Sequence, residues 1–160
     1  MNHAEARADL AAAFRLTARE NMHEGVANHF SLAVNEDGTE FLINPKKHFS
    51  RIRASDLWVI DADDPDSAKG EDAPDQTAWG LHASLHRHVP HARCAMHVHS
   101  TYATVLACLA DSRLPPIDQS SAMFYNRQVV DTDYGGLALD EGGPGLAPPF
   151  YVPPVGSMVL

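Results

Sequence analysis

The residues best suited to chemistry are histidines. The chain of 160 residues carries ten, and His82, His86, His88, His91, His97 and His99 all fall between positions 82 and 99. Arg93 to His99 reads as a buried strand. Alternate side chains of a strand share a face, so His97 and His99 project together with Ala95, while Cys94, Met96 and Val98 point to the other side, where helices can cover them. Two imidazoles in that relation can chelate one divalent ion. Catalytic zinc takes three protein ligands and keeps one position open, so the pair supplies two of the three. The same spacing also suits two histidines hydrogen-bonded in a core. With so many histidines such a pair arises readily by chance, and spacing alone leaves both readings open.

The other histidines say less. His86 and His88 fall on an expected helix, where residues two apart point about 200° from each other. His82 and His86 are one turn apart, but only Ala83, Ser84 and Leu85 lie between them, so the HExxH glutamate of a zinc protease is missing. A helix face touching the edge of the core is the preferred reading. His88 and His91 sit at the expected helix end, where a cation suits the dipole. His3, His23, His29 and His48 are scattered and carry no signal of their own.

Other chemistries find little support. Schiff-base catalysis needs a desolvated lysine, and Lys46, Lys47 and Lys69 lie in polar loops. No GxSxG, Walker or GxGxxG loop is present. Cys94 and Cys108, in apolar stretches, read as buried structural thiols, and two cysteines make neither a disulfide framework nor a CxxC motif.

Hydrophobic periodicity predicts the helices and strands that carry these residues. An amphipathic helix is expected over residues 4 to 23, stopped by Gly25. His29 to Val34 alternates like a strand with Phe30, Leu32 and Val34 on one face, and the turn residues 35–38 return it to a partner at Phe41 to Asn44. Leu57 to Ile60 reads as a further strand and the acidic segment 61–75 as a solvated loop. A helix from Gln76 to His88 should end before Pro90, with another over Thr101 to Ala110 and a short strand at Gln128 to Asp131. From Gly142 to Gly156 nine of fifteen residues are Gly or Pro, so residues 142–160 read as a disordered tail after a domain spanning 1–141.

The net charge of −9 argues against nucleic-acid and anionic-membrane partners, which need a basic surface. No apolar run nears the roughly 18 residues of a membrane span, and Met1 to Glu5 lacks the order of a signal peptide. A cytoplasmic setting is expected.

Taken in order, His23-Glu24-Gly25-Val26-Ala27-Asn28-His29-Phe30-Ser31, Ile43-Asn44-Pro45, Trp79-Gly80-Leu81-His82 and His97-Val98-His99-Ser100 resemble the class II aldolase and adducin family, in particular its adducin-like bacterial branch. Asp118-Gln119, Phe124-Tyr125 and Asp133-Tyr134-Gly135-Gly136 continue the likeness. The resemblance implies an α/β fold, a three-layer α/β/α arrangement around a mainly antiparallel sheet, incomplete at its C-terminus, in a homo-oligomer that is a tetramer in the family. It also implies zinc or another divalent metal on His97 and His99, and a small-molecule substrate whose anionic end meets Asn28 and Thr77, with Gln76 beside them.

Two departures qualify it. Where the family carries its acid/base glutamate, four residues before His82, this chain has Ala78, and Asp75 and Glu71 have no geometric claim to the role. No histidine follows His99 to serve as third ligand, which suggests a truncated or frameshifted copy. The implied function is a metal-dependent carbon–carbon lyase acting on a small hydroxy-carbonyl or sugar-phosphate-like substrate, or an inactive copy of one. The catalytic base is unassigned, and Tyr102 and Tyr125 read as packing residues before proton donors. The alternative is a non-catalytic, adducin-like self-association module.

Overall fold

In the computed structural model, residues 3–130 and Met158–Val159 are described. Helix α1 (Ala4–Arg19) is followed by strands β1 (His29–Ala33), β2 (Glu40–Ile43) and β3 (Trp58–Asp61), helix α2 (Gln76–His88), strand β4 (Cys94–His97) and helices α3 (Thr101–Ala107) and α4 (Gln119–Ala122). The strands form one antiparallel sheet in the order β3-β2-β1-β4. A separate short parallel pair joins β5 (Gln128–Val129) to β6 (Met158–Val159). The expected boundary at residue 141, the expected strand end at Asp131, the Asp133-Tyr134-Gly135-Gly136 motif and the whole Gly/Pro segment 142–156 lie outside the described residues.

Strand alternation sorts the core onto two faces. Phe30 and Leu42 point to one side and meet Leu10 and Phe14 of α1 with Phe49, Ile52 and Leu57. Phe14 is fully buried, stacked on Phe30 at 4.8 Å between ring centroids and edge-on to Phe49 at 4.6 Å. Phe41, Ile43 and Ile60 point to the other side, against Ala78, Trp79 and Ala83 of α2. Helix, sheet and helix therefore make the three layers expected.

The ends of elements show where local signals worked. Helix α2 has its expected bounds because Asp75 caps it, accepting from the Thr77 N–H at 2.9 Å. Helix α1 stops earlier than expected. Asn21 takes a left-handed backbone (φ 55°), and the N–H groups of Asn21 and Met22 turn back to the Ala18 and Thr17 carbonyls. That is a helix-ending geometry, completed ahead of Gly25. The acidic loop is less solvated than its composition suggests. It contains a 3-10 turn, Pro65–Ala68, whose Ala68 is buried. At Gly70 (φ 152°) a Cβ would lie 2.9 Å from Trp58 Cη2.

Strand β4 corrects another expectation. It is the end strand of the sheet, and Cys94 and Met96 are exposed, as is Cys108 beyond α3. Neither cysteine is a buried thiol: Cys94 lies on an end strand of the sheet and Cys108 caps a helix that buries none of its residues. Helix α3 buries none of its residues. Helix α4, absent from the sequence-based expectations, is held by a reciprocal cap between Asp118 and Ser121.

Removing a large aromatic side chain from a packed core costs about 3–5 kcal/mol. Phe14→Ala should lower the unfolding free energy by that amount in urea titrations, and a loss below about 1 kcal/mol would contradict its central place.

Candidate functional site

Where β1 begins and β2 ends, a cavity of about 190 Å³ lies between the 26–29 segment, the 44–46 turn and Asp75, Thr77 and Ala78 at the start of α2. Both residues expected to meet a substrate anion, Asn28 and Thr77, line it. Asn28 is 2% exposed; its Oδ1 accepts from the Glu24 N–H at 2.6 Å, while its buried Nδ2 has no hydrogen-bond partner among the described residues. Asn44 ties the two walls together, its Oδ1 accepting from the Phe30 N–H and its Nδ2 donating to the Asn28 carbonyl. Gln76 turns away and donates to the Ala68 carbonyl at 3.3 Å.

Asp75 organises the cationic side of the cavity. It accepts from the Thr77 hydroxyl at 2.5 Å, and its other oxygen faces the Lys46 ammonium at 3.5 Å. The Thr77 hydroxyl holds its carboxyl below the usual carboxylate range, with Lys46 adding to the effect. In the sequence Lys46 is an ordinary loop lysine, since nothing in its own neighbourhood points to α2. Ala78 lines the cavity and offers no group to move a proton. Tyr102 and Tyr125 are 89% and 62% exposed, so neither packs as expected.

His97 ends β4 and His99 lies beyond it, so the strand is shorter than expected, yet the two rings come together. Their Nε2 atoms meet at 2.8 Å, with rings nearly perpendicular. Glu24 Oε2 lies 2.7 Å from His99 Nδ1. An ionised carboxylate only accepts, so His99 carries its proton on Nδ1 and turns a bare Nε2 toward His97. A carboxylate behind an imidazole is how metal-binding histidines are commonly oriented. The two converging donors fit two positions around a divalent metal. Among the described residues no group of three His, Cys, Asp or Glu is placed to hold one.

Behind this pair runs a buried row of imidazoles. The β1–β4 register sets His29 opposite His97, and their rings stack at 4.5 Å. His29 Nδ1 lies 2.7 Å from His82 Nε2, His82 Nδ1 lies 2.6 Å from Ser31 Oγ, and Ser31 Oγ lies 2.8 Å from His86 Nε2. His82 and His86 are thus core histidines, as their helical spacing suggested. Their partners were hidden because His29 and Ser31 are close to them only across the sheet. Burial, then the neighbouring His97, pushes His29 down to about 3; burial and then Arg93 push His86 down to about 4. His82 is also driven well below the ordinary histidine value, first by burial and then by His29.

Comparison with known proteins adds to this geometry. Residues 8–147 match the family described as Class II Aldolase and Adducin N-terminal domain. A decarboxylase of Streptomyces niveus, NovR, is 32% identical over 122 residues, covering 74% of this chain and 45% of its own length. An adducin-related protein of Schizosaccharomyces pombe is 32% identical over 143 residues, covering 85% and 43%. The chain spans less than half the length of these two relatives. An aldolase II superfamily protein from Pseudomonas syringae superposes with a TM-score of 0.75 at 28% identity over 88% of this chain and 56% of its own. L-fuculose 1-phosphate aldolase from Glaciozyma antarctica PI12 gives 0.71 at 24% identity over 87% and 58%, a likeness of fold.

The neutral histidine row sets a pH dependence. Unfolded imidazoles take up protons near pH 6.5, whereas folded His86 and His29 do so only near 4 and 3. The unfolded state then binds more protons across that interval. Stability should be complete above about pH 6.5 and fall as the pH drops toward 4; a melting temperature flat over that range would contradict the row. Ser31→Ala leaves nitrogens of His82 and His86 unpaired and should cost about 1–3 kcal/mol at pH 7.5, measured by urea unfolding.

Proposed function

Because the chain belongs to the class II aldolase and adducin family, we propose that it carries a metal-assisted lyase site for a small hydroxy-carbonyl substrate with an anionic end. The observation that carries this reading is the position of His29, which lines the cavity and stacks on His97, so that bound substrate and imidazole pair are neighbours. Asn28 Nδ2, without a partner among the described residues, can donate to a carboxylate or phosphate oxygen. Lys46 supplies the positive charge nearby, and Asp75 fixes both Lys46 and Thr77 so that these groups stay in place without substrate.

His97 and His99 would hold a zinc or similar divalent ion, which when bound supplies Lewis-acid stabilisation of charge developing on a substrate oxygen. Glu24 keeps His99 turned toward that position, and the proton now on His97 Nε2 would move to Nδ1. With two protein donors, affinity should be weak for a zinc site. The working unit in this reading is a homo-oligomer, consistent with exposed Met96, Tyr102 and Val105 around β4 and α3.

Ala78 favours a second reading, an interaction module that retains the fold without turnover. Assay of zinc-supplemented protein for cleavage or decarboxylation of small hydroxy acids and sugar phosphates separates the two. Turnover lost in the H97A/H99A variant supports the lyase, and zinc binding without turnover on any of them supports the module. Glu24→Gln should weaken zinc at this pair by about 10–100-fold, read by competition with a chromogenic chelator.

A further inference from the structure

A second pair of imidazoles meets away from the cavity. His23 follows α1 and His48 follows the 44–46 turn, and their Nε2 atoms lie 2.8 Å apart with rings at 82°, matching the separation of His97 and His99. Neither residue lines the cavity, and neither drew attention in the sequence. We propose that His23 and His48 form a second metal site, binding one divalent transition-metal ion such as zinc through both Nε2 atoms.

The surroundings prepare the pair for this. The His23 ring lies parallel to that of buried Phe49, at 5.6 Å between centroids, and so is held on the α1 core cluster. On the other side the Ser50 N–H donates to His48 Nδ1 at 3.3 Å, with the Ser50 hydroxyl 2.8 Å from the same nitrogen. His48 accordingly carries its proton on Nε2 and donates it to His23, which leaves His23 Nε2 bare. Binding a cation needs the His48 proton to pass to Nδ1, where the Ser50 hydroxyl can accept it, and the Ser50 N–H gives up its bond to that nitrogen. No proton has to leave the protein. Neutral imidazole is a good ligand for zinc, copper and nickel, and burial together with His48 keeps His23 below the ordinary histidine value. Water completes the coordination.

The site bridges two segments that matter elsewhere. His23 precedes Glu24, which orients His99, and His48 lies two residues beyond Lys46. A cation there joins the two walls of the cavity from outside.

The test uses the H97A/H99A variant, which removes the first pair, titrated with zinc alone at pH 7.5 by calorimetry. One zinc per chain is expected, with affinity reduced at least tenfold by adding either His23→Gln or His48→Gln. Long-range nitrogen NMR of the histidines in the same H97A/H99A protein gives a reading independent of how those variants fold. Zinc should shift Nε2 of both His23 and His48 and move the His48 proton to Nδ1. Absence of zinc binding in H97A/H99A, binding insensitive to His48→Gln in a folded variant, or unshifted His23 and His48 resonances would each overturn the proposal. None of these outcomes bears on whether the first pair supports lyase chemistry.

Discussion

One hydroxyl with no access to water must satisfy two imidazoles. Ser31 Oγ sits between His82 and His86, all three essentially sealed from solvent. A serine has one proton to donate, so it donates to one ring and accepts from the other, and that choice propagates. Which nitrogen of His82 holds a proton decides whether His29 gives or takes the next one, so the whole row points one way or the other. Polar groups so buried are costly unless paired. Helix α2 therefore has one rotation and one height against β1 that keeps both rings on the hydroxyl. That fixed seat also holds His29 where it can lie against His97.

Asp75 couples the fold to the cavity in a similar way. The same carboxylate caps α2, holds the Thr77 hydroxyl and faces Lys46. Helix start, substrate-facing hydroxyl and cationic group thus share one anchor. A change in that side chain touches secondary structure and site together, which is why the cavity cannot be separated from the frame around it.

The readable parts of the sequence were the local ones. Pro90 marks the end of α2, which stops at His88, and the His-x-His spacing brings His97 and His99 together although β4 itself ends at His97. Family likeness brought Asn28 and Thr77 to the same place. What remained hidden are contacts between distant segments. Glu24 meets His99 across 75 residues, Lys46 meets Asp75 across 29, and His23 meets His48 across 25. No periodicity within a segment encodes such meetings. The misreadings have equally local causes. An asparagine can take the left-handed turn that ends a helix, so α1 ends at Arg19 with Asn21 just beyond it. A strand with apolar residues on one face looks buried whether or not its edge position leaves that face open, and Cys94 is such a case.

Gly70 shows how a position without a side chain can discipline a polar loop. Its backbone rests against the Trp58 indole so closely that even a methyl group would collide. Glu71 and Asp72 beside it are exposed and open to substitution, whereas Asp64 accepts from the Asp66 N–H and helps hold the turn before it. The loop's docking to the aromatic surface is not free in that way, and it leads directly to the residue that starts α2. Tolerance and intolerance to substitution should therefore alternate sharply along a stretch that looks uniformly permissive, with the strictest position being the smallest.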